Sequence, residues 1–202
     1  MNIFVLDESP IISAQMQCDK HILKMPLETA QMLCSVWHRY GQGMNVPYKE
    51  AHRNHPCTLW AGDDGANYDW LWQHGMELCF EYTRRYNKIH KCQQVIMDIS
   101  LSDCELGFDN MSRHITPHPQ CMPDEYKCIR ESGYLTEQMS SQYGGNDTVL
   151  AYRRYYVNDK KDIAKWEKGR DAPDWYTNKK YRIGYDYPNM REEWVELDAY
   201  DG

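Results

Sequence analysis

From Ile11 to Tyr40, apolar side chains recur at Met16, Ile22, Leu23, Met25, Leu27, Met32, Leu33, Val36 and Trp37, at three- and four-residue spacing. That period predicts a long amphipathic helix. Ser9–Pro10 supplies an N-cap and a first-turn proline, Pro26 predicts a kink or break, and "GQG" at 41–43 ends the element. A second helical pattern runs from Leu59 to about Tyr86, with Tyr68, Leu71, Trp72, Met76, Leu78, Cys79 and Tyr82 on its apolar side. A third covers 148–169 and stops at Gly169 and Pro173, and shorter helices are expected at 92–99 and 122–131. "NIFVLD" at 2–7 is a short strand or an extended N-terminus, 44–58 reads as a loop, and the polar, Gly- and Ser-containing stretch 132–147 is expected to be mobile. Nothing repeats and nothing alternates as a hairpin would. The expected class is all-α: one compact domain over 1–182, of about three long helices with short ones and long loops, followed by an acidic C-terminal tail over 183–202.

Composition narrows the partners. The 202-residue chain holds 16 Tyr, 7 Trp and 11 Met against only 3 Phe. Tyr and Trp bury a ring while keeping a polar handle, which suits a base-stacking surface and equally a core. The net charge of -7 counts against a dedicated duplex-DNA binder, which is usually basic. The charge is uneven, however. Residues 149–182 carry ten Lys/Arg against five acids, and 183–202 carry six acids against one Arg, so a local phosphate-binding face remains available. No leader peptide and no membrane-length apolar run is visible. Cys18, Cys34 and Cys79 sit within helical apolar patterns, where free cysteine behaves as a small hydrophobe. The expected setting is cytoplasmic and reducing.

Familiar site motifs are missing. No C-x-x-C pair occurs, and "HRNH" at 52–55 lies on an expected loop without the helical spacing of a zinc protease, so no metal site and no cofactor is expected. No glycine-rich phosphate loop occurs either. The candidate chemistry lies in "CDKHILKMPLETAQMLC" at 18–34, where His21, Lys24 and Glu28 fall on one helical face. Either this is an ordinary solvated face, with Lys24 and Glu28 paired across one turn, or it lines a site. Met25, Leu27, Ala30 and Gln31 leave Glu28 with few charged neighbours, and a carboxylate in a partly dry setting can work as a general acid or base.

Four features together resemble the phage pyrimidine-dimer DNA glycosylase/AP-lyase family (endonuclease V type), and an uncharacterised phage-encoded group similar to it. They are "DKHILKMPLE" (19–28), similar to that family's D-x-H…E helix; Pro56 with "AGDDGANYDWL" (61–71) leading into a long helix; the basic close of that helix, "RRYN" (84–87); and "APDWYTNKKY" (172–181), similar to a Trp-Tyr C-terminal motif. The resemblance implies a compact all-α domain that attacks a sugar C1′ with its N-terminal α-amine beside a helix Glu. An α-amine has an ordinary pKa of about 7.7–8.0, so a useful fraction is unprotonated near neutrality.

Carried onto this chain by position, Glu28 is the catalytic carboxylate, His21 its helix companion and the amine of Met1 the nucleophile. Residue 2 is Asn2, not the small residue that follows a removed Met in the family, so the initiator Met is expected to stay. Lys24 or Lys20 is the alternative amine. Substrate contacts are expected from Lys20, Asn54, His55, Arg84, Arg85, Lys88, Trp175 and Tyr176. The face beside Glu28 carries Leu27 and Gln31 where the family has arginines. Three functions follow as expectations. The first is a glycosylase acting on a damaged or modified pyrimidine in DNA. The second is a base-modifying transferase or nucleotide-acting enzyme on the same scaffold. The third is a non-catalytic factor binding nucleic acid or a host protein. No membrane partner is expected.

Overall fold

The structure, a computed structural model, describes residues 1–40, 46–100, 114–128 and 147–177. Its helices are α1 (Pro10–Gln15), α2 (Asp19–Tyr40), α3 (Pro56–Asp63), α4 (Gly65–Tyr86), α5 (Gln93–Asp98), α6 (Asp147–Asn158) and α7 (Asp174–Thr177), with one 3-10 turn at Asp124–Tyr126. No strand occurs among the described residues, so the class is all-α as the periodicity implies. No described helix is long and apolar enough to cross a membrane. The mobility expected of 132–146 and the tail at 183–202 fall outside the described residues, as does the stop at 41–43.

Helix α1 begins as its sequence demands: the Ser9 hydroxyl accepts from the Ile12 N–H and Pro10 occupies the first turn. The break expected at Pro26 falls instead at 16–18, and α2 runs through Pro26. Tertiary partners explain the shift. The Cys18 N–H goes to the Tyr156 hydroxyl (3.1 Å) and the Asp19 N–H to the Lys165 carbonyl (2.9 Å), so donors freed by the break are satisfied from outside the helix. The single helix expected over 59–86 is two. Asp64, extended at φ -154°, ends α3 and caps α4 by accepting from the Ala66 N–H at 2.8 Å. The helix expected over 148–169 ends at Asn158. Beyond it the chain turns so that the Lys165 carbonyl meets Asp19 and the Trp166 indole N–H meets the Met16 carbonyl at 3.1 Å. Within the expected 122–131 helix, only the 3-10 turn forms among the described residues.

Helix α4 is the central element and packs against α1, α2, α3 and α5. At Gly75 it packs tightly on α2. A Cβ added at Gly75 would lie 2.5 Å from the Thr29 methyl and 3.3 Å from Ile96. Gly75→Ala is therefore expected to destabilise by about 1–3 kcal/mol by forcing the two helices apart, a loss that denaturant unfolding would register.

Residues 2–6 are buried and make no strand ladder. Side chains take the ladder's place. Ser13 donates to the Phe4 carbonyl and accepts from the Leu6 N–H, Gln17 donates to the Ile3 carbonyl, and Arg153 donates to the Leu6 carbonyl. A buried backbone needs such partners. Phe4 adopts φ 56°, a costly left-handed conformation for a bulky residue, and its ring stacks on His21 at 4.2 Å.

The aromatic content serves the core. Each of the six described tryptophans donates its indole N–H within the protein: Trp37 to the Tyr68 hydroxyl, Trp60 to the Thr116 carbonyl, Trp70 to the Glu8 carbonyl, Trp72 to the Ile96 carbonyl, Trp166 to the Met16 carbonyl and Trp175 to the Met16 sulfur. These rings tie elements together rather than forming an open stacking platform.

Three histidines are buried and held neutral. Burial, with Lys160, Lys24 and Lys20 adding, takes His21 down to about 3. Burial likewise takes His118 to about 3 and His74 to about 4. Unfolded, such rings titrate near 6.5. Their folded values are depressed, so their contribution is full above about pH 6.5 and is lost as pH falls toward the folded values. At about pH 5 each ring is expected to contribute about 2 kcal/mol less than at neutrality. Thermal melts at about pH 7 and pH 5 test this: the melting temperature should fall markedly on the acid side, and an unchanged value would contradict neutral burial.

Candidate active site

The N-terminal segment ends against α2. Glu28, 8% exposed, accepts the Asn2 backbone N–H on Oε2 at 2.8 Å. The Met1 α-amine lies 3.7 Å from the same oxygen, and the Lys24 ammonium pairs with Oε1 at 3.0 Å. Lys24 is solvent-exposed, so the cluster sits where a buried carboxylate meets the surface.

Asn2 fixes this meeting. Its side-chain oxygen accepts from the Tyr152 hydroxyl (2.6 Å) and from the Ile3 N–H (2.8 Å), and its amide donates to the Cys121 carbonyl (2.8 Å). The same Tyr152 hydroxyl accepts from the Cys121 N–H at 3.2 Å and lies 3.1 Å from the Pro119 carbonyl. The second residue is thus a buried hub joining the N-terminus, the 114–128 segment and α6. A small residue there could not make these bonds.

His55 stands beside the cluster. It caps α3 by accepting from the Cys57 N–H, and Pro56 takes the first turn. Its pKa is lowered by burial first, then by the Met1 amine and His52, with Glu28 acting the other way. The His55, Cys57 and Cys121 donor atoms also converge, all within 4.8 Å of one another. The chemistry on offer is a primary amine with a buried carboxylate to exchange its proton and an ammonium alongside. That set suits nucleophilic attack on an electrophilic carbon.

Residues 1–94 match the pyrimidine dimer DNA glycosylase family. No curated protein and no solved structure matches the chain. The family match bears out the resemblance over the N-terminal part, and it takes in Met1, Asn2, Lys24, Glu28 and His55. The likeness drawn from 172–181 lies beyond it, as do Cys121 and Tyr152.

The remaining candidates lie elsewhere. His21 does not touch Glu28. Its ring is buried between Phe4 and Tyr156, with Nδ1 in a hydrogen bond to the Tyr156 hydroxyl. Lys20 is exposed in the first turn of α2, and Asn54 is exposed on the loop before α3. Arg84 is exposed and pairs with Glu81 at 3.4 Å, and Lys88 is exposed just past α4. Arg85 is buried and fully engaged: Nε and Nη2 meet Glu81, Nη1 meets Asp19 and the Gln17 carbonyl, and Nη2 also donates to the Gln15 carbonyl. No N–H of Arg85 is left for a phosphate, so its role is to hold α4 to the α1–α2 corner. Trp175 is buried against Met16 and Tyr156, and Tyr176 lies on Trp166. Both pack that same corner. Asp19, where Arg85 binds, precedes Glu28 by nine residues, about 14 Å along the helix.

Sequence reasoning missed Tyr152, Cys57 and Cys121. Tyr152 lies 150 residues from Asn2, and the two cysteines lie 64 apart. No local spacing could have announced either meeting.

Proposed function

We propose that the protein excises a damaged or modified pyrimidine from DNA, with the Met1 α-amine as nucleophile and Glu28 as the catalytic carboxylate. The observation that carries this is the Met1 amine 3.7 Å from Glu28, held there by the Asn2 hub. Glu28 takes a proton from the ammonium, and the freed lone pair attacks C1′ of the lesion nucleotide. The C1′–N bond breaks with its electron pair going to the base, which takes the proton now held by Glu28. The amine then returns its second proton to Glu28, which passes it to O4′ as the C1′–O4′ bond breaks, leaving an imine between the nitrogen and C1′ of the opened sugar. Strand cleavage follows by elimination from that imine.

Lys24, 3.0 Å from Glu28, offers its charge to a neighbouring phosphate, and Lys20 and Asn54 are exposed groups for the strand. Arg84 and Lys88 extend the footprint along the surface. With a net charge of -7, the affinity rests on these local cations and should fall steeply with salt. The test is incubation with ultraviolet-irradiated and undamaged duplexes, scored for base release and strand breaks. Breaks confined to irradiated DNA are expected. Failure of the folded protein to release any base from either duplex would overturn the proposal and favour a transferase or a binding factor.

A further inference from the structure

Beside the amine–carboxylate pair lies a second group of side chains that the proposed reaction does not use. Cys57, in the first turn of α3, is fully buried, and its Sγ donates to the Cys121 Sγ at 3.5 Å. Cys121 is partly exposed on the 114–128 segment, and His55 is partly exposed at the N-cap of α3. Their donor atoms lie within 4.8 Å of one another, and no other group of three metal-ligating side chains this tight occurs among the described residues. We propose that His55, Cys57 and Cys121 bind one thiophilic divalent cation of the zinc class.

The chemistry and the spacing both favour such an ion. Two sulfurs and an imidazole form a soft donor set that hard cations such as magnesium and calcium do not select. A tetrahedral zinc with bonds of about 2.3 Å to sulfur holds two sulfurs about 3.8 Å apart. The two sulfurs here stand 3.5 Å apart, so little movement is needed. His55, partly shielded at the N-cap of α3, supplies the imidazole. If the ring ligates through Nδ1, it exchanges a 3.2 Å hydrogen bond from the Cys57 N–H for a metal bond. Three protein ligands leave a fourth place for water.

The location gives the ion a purpose. Cys121 is the residue whose carbonyl and N–H meet the Asn2 side chain and the Tyr152 hydroxyl. A metal joining Cys121 to Cys57 and His55 would fasten the 114–128 segment onto α3, over the N-terminus. That clamp ties the part of the chain matched by the family to the part beyond it.

The test uses the full chain, reduced and stripped of metal with a chelator, then titrated with cobalt(II). One equivalent is expected to give an intense near-ultraviolet sulfur-to-cobalt charge-transfer band and the strong visible bands of a tetrahedral site, both abolished by zinc(II). Cys121→Ser and Cys57→Ser should each lose the charge-transfer band, and Cys128→Ser should keep it. Circular dichroism shows whether each variant folds. Because Cys121 is partly exposed, Cys121→Ser is the variant expected to stay folded. Folded, reduced wild type that gives no charge-transfer band overturns the site. So does a band that survives in a folded Cys121→Ser variant. None of these readouts depends on DNA cleavage, so the metal site and the glycosylase reading fail separately.

Discussion

Glu28→Gln is expected to slow base excision by about 10²–10⁴-fold while leaving the fold intact. The substitution removes the proton acceptor and the negative charge that stands 3.7 Å from the Met1 amine. It keeps an amide oxygen that can still accept the Asn2 N–H, now bonded at 2.8 Å. The other loss is the ion pair with Lys24, whose side chain is 71% exposed, and such pairs contribute little. The expected pattern is therefore a large drop in single-turnover excision with a melting temperature close to that of the wild type. Equal rates for Glu28→Gln and wild type would remove Glu28 from the chemistry. A collapse in stability with proportionate loss of rate would make it a structural residue.

Arg85→Ala is expected to give the largest loss of stability. Arg85 reaches two carboxylates and two main-chain carbonyls from a buried position, and removing one partner from such a network leaves uncompensated charge. Glu81 would keep Arg170, which donates to it at 2.7 and 3.0 Å. Asp19 would keep the Glu167 N–H at 2.6 Å. These survivors place the expected cost at the lower end for a broken buried network, about 3 kcal/mol. For a chain of this size that corresponds to a fall in melting temperature of roughly 6–12 °C. Burial alone would raise the Glu81 carboxyl, but the hydrogen bonds and charges of Arg170 and Arg85 outweigh it and hold it below the ordinary range. Its contribution is accordingly present at neutral pH and lost as acid protonates it. Stability should drop by much less when Arg85→Ala is compared with wild type in strong acid. A fall of under a degree or two at neutral pH would contradict the structural role.

The helices and their type were legible because they rest on local period. The cap at Ser9–Pro10 and the helix at 93–98 lie where the pattern puts them. The misplaced boundaries share one cause, which is tertiary hydrogen bonding that outcompetes helix continuation. The break near 17 depends on Tyr156 and Lys165, about 140 residues away, and the early end of α6 brings Lys165 and Trp166 back to α1 and α2. The split at 63–65 did carry a local signal, since Asp64 ahead of Gly65 is a cap. It was hidden by the unbroken apolar period on either side.

In the site, the Glu28–Lys24 pairing follows from an i, i+4 spacing, and the placement of Met1 beside Glu28 had support only from the resemblance. His21 shares the helical face of Lys24 and Glu28 in sequence but is claimed by Phe4 and Tyr156. A shared face says which side chains point the same way, not what covers each of them. The long-range meetings of Asn2 with Tyr152 and of Cys57 with Cys121 are products of the whole fold.

The Met1 amine is the proposed reacting group. The direct measurement is borohydride reduction of the protein with DNA carrying a lesion or an abasic site, followed by mass spectrometry of the cross-linked peptide. A covalent adduct is expected on the N-terminal peptide, localised to the Met1 nitrogen and lost after selective acetylation of that amine. An adduct on Lys20 or Lys24, or the same yield from the N-terminally acetylated protein, would contradict that role.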